Sequence, residues 1–241
     1  MKAHAKSTVE EIRQRFDGAV ERFSNLATGQ TATMDAAECM ELIAEAAAAS
    51  TPDARTALDV GCGAGNYSLK LRERLPGVRF TLLDLSRPML DRARERLGPS
   101  AEAAVQGDIR EACFEPGSFE IILAAAVLHH LRSPEEWRTV FGNFFRWLKP
   151  GGGLWIFDLT IHEAAPVERL MRGRYARYLE RQGGPAYREK VFAYIEKEDT
   201  PASLPHQLAL MRDVGFAPID VLHKNAGFAA FGGIKPEKRE C

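Results

Sequence analysis

Apolar residues recur at spacings of three and four from Val9 through Ile12, Phe16, Val20 and Phe23, which predicts an amphipathic helix over Val9 to Phe23. A second helix is predicted from Asp35, whose side chain can cap while Glu38, three residues on, completes a capping box. It runs through Met40, Leu42 and Ile43 toward Ala49, where TPDAR breaks it. The pattern then alternates short apolar runs with amphipathic stretches. TALDV (56–60), VRFTLLD (78–84), AEAAVQ (101–106), FEIILAAA (119–126) and GLWIFDL (153–159) read as buried strands. Between them, Ser86 with Pro88 in the first turn marks one helix start, and Ser133 with Pro134 and Glu136 marks another. Repeated β-α-β units imply a parallel sheet covered by helices on both faces.

After Leu159 the order changes. Residues 162–198 hold two helical stretches split by Gly183-Gly184-Pro185, an insertion at the carboxyl edge of the sheet. Within it Met171, Tyr175 and Tyr178 form a stripe at helical spacing that suits either packing or a substrate wall, and five arginines (169, 172, 174, 177 and 181) crowd the same stretch. A helix from about Ser203 follows, and FAPIDVLHK and AGFAAFGGIK close the chain as two β runs joined near Asn225, an antiparallel hairpin. The expected architecture is α/β, a Rossmann-like, seven-stranded, mostly parallel sheet with that hairpin at its end. Residues 1–51 form an amino-terminal helical lid, and 52–241 form the main domain with its helical cap at 162–198.

With 241 residues, 45% of them hydrophobic and 27% charged, the chain excludes disordered and disulfide-scaffold classes. Its 32 basic and 33 acidic side chains leave a formal charge of -1, so no general attraction to nucleic acid is expected. Cys39, Cys62, Cys113 and Cys241 lie far apart with no Cys-x-x-Cys, which fits neither zinc binding nor a secreted framework and points to a reducing cytoplasm. The amino terminus lacks an apolar targeting core, and the longest apolar run, Ile121 to Leu128, is too short to span a bilayer.

The segment Leu58-Asp-Val-Gly-Cys-Gly-Ala-Gly-Asn66 places a strand, a glycine turn at Gly61, Gly63 and Gly65, and a helix start in succession. Glycine there lets backbone approach a ligand, and the helix amino terminus offers free N–H groups to an anion. Asp84 ends the next strand, 19 residues past Gly65, where a carboxylate can accept hydrogen bonds from both ribose hydroxyls. Asp108 follows the third strand in Gly107-Asp108-Ile109.

This ordered set, with FEIILAAAVLHHL and Leu148-Lys-Pro-Gly-Gly152, resembles the class I S-adenosylmethionine-dependent methyltransferases over roughly residues 55–160. The resemblance implies S-adenosylmethionine as cofactor, with Gly61, Cys62, Gly63 and Gly65 at its methionine portion, Asp84 at the ribose, Leu85 and Met89 on an adenine face, Asp108 and Ile109 at the adenine edge, and Ala125 at the amino acid end; Asp59 would orient the loop. His129 and His130 follow the fourth strand near the expected transfer site. Adjacent helical residues diverge by about 100°, so at most one of them faces the ligand, and His130 is the candidate catalytic group. Arg174 and Tyr178 are the candidate substrate-binding residues of the cap. No metal is expected, because Ala124-Ala-Ala126 supplies none of the acidic ligands of magnesium-dependent catechol-type relatives. The asparagine-proline-proline-tyrosine motif of amino-methylating enzymes is absent there too, and Cys113 has no preceding proline of the kind a pyrimidine-methylating nucleophile carries.

The reading is therefore an enzyme that moves a methyl group in line to a small-molecule acceptor. Two alternatives remain open. RFDGAVERFSN, GDIRE and GFAAFGGIK also resemble the carboxy-S-adenosylmethionine synthases, which carboxylate the bound cofactor using prephenate and read the added carboxylate with a basic cap residue; Arg188 and Lys190 are the candidates. The second alternative is a non-catalytic module that binds an adenosyl ligand.

Overall fold

Seven strands form one sheet in the order β3-β2-β1-β4-β5-β7-β6 in the computed structural model, which describes residues 6–25 and 30–237. They are β1 (Thr56–Val60), β2 (Arg79–Asp84), β3 (Ala101–Gln106), β4 (Phe119–Ala125), β5 (Leu148–Leu159), β6 (Ile219–Asn225) and β7 (Phe228–Ile234). All neighbouring pairs are parallel except those of β7, which runs antiparallel to both β5 and β6. Cys241 and residues 1–5 and 26–29 of the expected lid lie outside the described residues.

Side chains on successive strand positions enter opposite layers, as period-two geometry requires. Ile121 and Leu123 of β4, with Trp155 and Phe157 of β5, pack under α3 (Ala36–Ser50), α4 (Asn66–Arg74) and α5 (Arg87–Leu97). Ile122, Ala124, Leu154 and Ile156 pack under α6 (Pro134–Trp147) and α8 (Leu204–Val214). The sheet is thus apolar on both faces in its centre. β3 differs from the expectation of a buried strand: it is the outermost strand, and Val105 is 38% exposed. Lacking a neighbour on one side, that run is apolar enough to pair yet not covered.

The helix starts at Ser86, Ser133 and Ser203 are as their local chemistry dictates, each hydroxyl accepting from the backbone N–H three residues on. The first predicted helix is instead two, α1 (Val9–Asp17) and α2 (Val20–Ser24), broken at Gly18-Ala19. The capping box at Asp35 does not form. Asp35 sits at φ 57° with no capping bond, because its Oδ2 accepts from His223 Nε2 at 2.8 Å and from Asn225 Nδ2 at 2.7 Å. The insertion is a helix pair, α7 (Ala165–Glu198), kinked where Gly183 and Gly184 leave helical geometry. No helix among the described residues is long and apolar enough to cross a membrane.

Candidate active site

The strand order reverses between β1 and β4, and a crevice opens outside their carboxyl ends, where ligands bind in open α/β sheets. The glycine loop leaves β1 here. Gly61 N and Cys62 N both donate to Leu83 O, tying the loop to β2, and Gly63 N donates to Asp84 Oδ2 at 2.8 Å. The three glycines have different reasons to be glycine. All three have positive φ, but a Cβ on Gly61 would meet Val127 Cγ2 at 2.6 Å and one on Gly65 would meet Ala93 Cβ at 3.1 Å, whereas one on Gly63 meets nothing within 4 Å. Gly65 is therefore a close-packing residue between α4 and α5. Unlike Gly61 and Gly63 it does not line the cavity.

Asp84 is held from both sides, its Oδ1 accepting from Ser86 N at 2.8 Å and its Oδ2 from the loop amide. Burial raises its pKa above the ordinary value even though the two backbone amides favour the charged form. Asp59 lies deeper, accepts from Ser68 Oγ at 2.5 Å in the first turns of α4, and is pushed up to about 7 by burial. Asp108 also reaches the cavity wall. Its carboxylate is gripped by Arg110, with Nε at 2.8 Å and a second guanidinium contact; burial alone would raise its pKa, and the ion pair instead holds it low. Arg110, passed over in the sequence, thus shares the site.

The cavity enclosed by these groups has about 1060 Å³ of atom-free space, its mouth included. Leu85, Met89 and Ile109 form an apolar slot beside Asp84 and Asp108, and Cys62 and Ala125 lie toward the loop. The wall also includes Ile12 and Phe16 of α1, Phe23 of α2, Tyr67, His130 and Leu131. The polar and apolar groups suit an adenosyl ligand with an amino acid tail: a fixed carboxylate for a diol, an apolar slot for a ring, and an open loop position at Gly63. The Tyr67 hydroxyl is in addition buried without a hydrogen-bond partner.

The two histidines part company in a 3-10 turn, Leu128–His130, rather than in an α-helix. His129 turns inward, where its Nδ1 pairs with Asp158 Oδ1, while Asp158 Oδ2 accepts from Leu128 N at 2.7 Å. Burial pulls the His129 pKa down, but the carboxylates of Asp158 and Asp199 outweigh it and raise it to about 9. His130 lines the cavity, and burial together with the neighbouring His129 charge depresses its pKa well below the ordinary imidazole value. Asp199 Oδ1 lies 3.7 Å from His129 Nε2 and 3.6 Å from His130 Nδ1. The His129 imidazolium thus stands between two carboxylates. Asp158 had a readable signal, a carboxylate inside the buried run GLWIFDL; Asp199 had none.

The cap candidates are not brought to the cavity. Tyr178 donates to Thr31 O at 3.0 Å and stacks on Tyr175, whose hydroxyl donates to Ala32 O at 2.7 Å, so the tyrosine stripe packs α7 onto residues 30–34. Arg174 is exposed on the same helix. Arg188 pairs with Glu180 and Glu189, and neither it nor Lys190 lines the cavity.

Residues 57–152 match a family model described as a methyltransferase domain. The chain is 30% identical over 187 residues to a carboxy-S-adenosyl-L-methionine synthase from Aeromonas hydrophila, covering 73% of each chain. It is 28% identical over 190 residues to a demethylmenaquinone methyltransferase from Lactococcus lactis, covering 75% of this chain and 73% of that one. In fold it matches a Burkholderia thailandensis 1,6-didemethyltoxoflavin-N1-methyltransferase solved with S-adenosylhomocysteine, at a TM-score of 0.64 and 17% identity over 97% of this chain and 93% of the other. A glycine loop tied to an acidic strand end, the switch-point crevice and these relatives converge: the chain belongs to the class I S-adenosylmethionine-dependent methyltransferase family.

Proposed function

We propose that this enzyme transfers a methyl group from S-adenosylmethionine, in line, to a small-molecule acceptor enclosed between the glycine loop and the amino-terminal helices. The observation that carries this reading is that the same cavity is lined, besides the proposed cofactor residues, by the apolar side chains of Ile12, Phe16, Phe23 and Leu131. A chamber roofed by the chain's own helices suits a compact, largely apolar molecule better than a macromolecule. The near-neutral charge agrees. The unpaired Cys39, Cys62 and Cys113 are consistent with a reducing cytoplasmic setting.

When bound, the cofactor supplies a methyl group on a positively charged sulfur. In this assignment Asp84 accepts from the ribose hydroxyls, Leu85, Met89 and Ile109 sandwich the adenine, Asp108 meets its edge, and Gly61, Cys62, Gly63 and Ala125 surround the amino acid end. Asp59 steadies the loop through Ser68. Residues 1–51 serve as the lid and 162–198 as the cap that anchors it through Tyr175 and Tyr178. His130 faces the acceptor. Holding the acceptor in line and excluding water can lower the barrier by about 7–11 kcal/mol in well-oriented cases. The test is release of S-adenosylhomocysteine across a panel of small phenols, amines, thiols and carboxylic acids. Turnover confined to protein or RNA substrates would refute the small-molecule reading.

Similarity to the Aeromonas synthase favours a second reading, in which the cofactor is carboxylated. That chemistry needs a free cation for the added carboxylate. Arg188 is committed to Glu180 and Glu189, and Arg110, the guanidinium in the cavity wall, is committed to Asp108. Mass spectrometry of the ligand that co-purifies separates the two: S-adenosylmethionine or S-adenosylhomocysteine supports methyl transfer, and the carboxylated form supports the second reading.

A further inference from the structure

His130 lines the cavity, yet both of its ring nitrogens are buried without a hydrogen-bond partner. Asp199 Oδ1, 3.6 Å from His130 Nδ1, is equally buried and without a hydrogen bond. Asp199 directly follows α7, so this carboxylate is delivered by the cap and not by the loop that carries His130. The separation is a small ring rotation short of a hydrogen bond, and such pairs are often long before a ligand tightens them. His129 cannot serve in place of His130, because its Nδ1 is held by Asp158 and its ring turns away from the cavity.

We infer that Asp199 and His130 form a carboxylate–imidazole pair in which Asp199 holds the Nδ1 proton and leaves Nε2 to accept a proton, so that the acceptor is a molecule entering with an ionisable O–H, S–H or N–H. Asp199 is the positioning residue and His130 the catalytic one. The inference rests on the methyl-transfer reading above. The acceptor atom forms its bond to the methyl carbon as the carbon–sulfur bond breaks, the electron pair of that bond stays on sulfur, and the acceptor's proton passes to His130 Nε2. Positive charge lost at sulfur thereby reappears on an imidazole beside Asp199.

The surroundings keep His130 in its base form until then. Facing it are the His129 imidazolium, Arg15 of α1, Arg132, the Glu198 carbonyl and Asp199, with the Phe16 ring edge-on at 6.1 Å. Burial and three cationic neighbours oppose a proton on His130, and the Glu198 carbonyl favours one, as does the Asp199 carboxylate 3.6 Å away. A carboxylate acceptor would need no base, and its turnover would be independent of His130. Arg110 is bound to Asp108, and Arg15 Nη1 to Glu198 at 2.7 Å, although Arg15 Nη2 is buried without a partner and Arg132 meets only neutral acceptors, Thr200 Oγ1 at 2.9 Å among them.

The test is long-range proton–nitrogen NMR on the full chain labelled with [15N]histidine, with His130→Gln to assign the ring signals. Expected is a neutral His130 at pH 7 with its proton on Nδ1. Asp199→Asn should shift that proton toward Nε2 while changing the calorimetric affinity for S-adenosylhomocysteine less than threefold. A wild-type His130 that is charged at pH 7, or that carries its proton on Nε2, overturns the inference and needs no variant to detect. So would an Asp199→Asn spectrum identical to the wild type, a carboxylic acid acceptor whose turnover is untouched by His130→Gln, or one zinc ion per purified chain by elemental analysis. A wild-type chain that fails to bind S-adenosylhomocysteine at all refutes the methyl-transfer reading instead.

Discussion

Replacing Asp84 by alanine tests the cofactor assignment at its most connected point. The carboxylate does two jobs in the assignment: it anchors Gly63 N and Ser86 N, each at 2.8 Å, and it offers its remaining lone pairs to the ribose. Hydrogen bonds to a charged group are worth about 1.5–3 kcal/mol, so the loss of the ribose contacts should weaken S-adenosylhomocysteine binding on the order of tenfold to a hundredfold. The fold is affected less. Two amides lose an acceptor, but removing a carboxylate that burial already disfavours offsets part of that cost. A net loss of about 1 kcal/mol would lower Tm by about 2–4 °C in a chain of this size. Asp84→Asn keeps the shape and one acceptor oxygen but sets an amide donor against one of the two backbone donors, and should bind nearly as weakly as the alanine variant.

The same residue gives a pH signature. Because burial raises the Asp84 pKa, its charged form costs the unliganded fold stability above that pKa, and the cost is withdrawn as pH falls through it. Ligand affinity runs the other way, since the ribose hydroxyls need the charged acceptor. Wild-type affinity should therefore fall on acidification at a pH above the ordinary aspartate range, and the Asp84→Asn variant should lack that step. Isothermal calorimetry between pH 5 and 8 reads both. Unchanged affinity in a folded Asp84→Ala chain would refute the ribose contact and remove much of the reason to place the adenosyl group in this crevice.

Further expectations concern stability. His129 is raised from 6.5 to about 9 in the fold, so its pairing contributes stability on the order of 3 kcal/mol that is fully present below pH 6.5 and lost as pH rises through about 9; the denaturation gap between wild type and Asp158→Asn should shrink from pH 6 to pH 10, and a pH-independent gap would disprove the ion pair. Gly65→Ala should lower Tm by an amount that Ala93→Gly partly restores, because one part of the cost is the 3.1 Å contact and the rest is the positive φ; no restoration would mean that φ alone forbids the side chain. Tyr178→Ala should lower Tm through the lost bond to Thr31 O and the lost stacking, and Arg174→Ala should leave both Tm and S-adenosylhomocysteine affinity nearly unchanged. Loss of cofactor affinity in Arg174→Ala, measured by calorimetry, would mean that the cap closes further than this structure shows.

What could be read from the sequence is what neighbours within a turn or a strand decide. Ser86, Ser133 and Ser203 cap because each hydroxyl reaches the backbone amide three residues away before anything else can. The strands TALDV and FEIILAA are mostly apolar, Asp59 and Glu120 apart, because they lie in the middle of a sheet with both faces covered. Asp35 has the same local credentials as those serines and fails, since His223 and Asn225, nearly two hundred residues on, take its carboxylate and turn its backbone to φ 57°. The glycine loop shows the same division within five residues: the residue type was legible at all three positions, but only the packing of Val127 and Ala93 tells which glycine makes room for protein and which stays open.

The catalytic candidates carry this furthest. The histidine pair was visible, and the rule that neighbours diverge was sufficient to expect at most one ring in the cavity, although a 3-10 turn and not an α-helix sets the angle. Which ring faces the cavity is decided by Asp158, whose β5 carboxylate binds His129 and leaves His130 the outer position. Asp199 lies in KEDTPAS, a polar stretch that would ordinarily be solvated, so no local pattern marks it as part of the site. It becomes buried because α7 bends at Gly183-Gly184 and returns the chain to the end of β4, where Thr200 N donates to His129 O at 2.6 Å and fixes the approach. Burying an unpaired carboxylate is costly, and here the His129 imidazolium, 3.7 Å away, offsets that cost. The charge that steadies Asp199 is therefore the same one that disfavours a proton on His130, and a substitution at His129 should perturb both of its neighbours together.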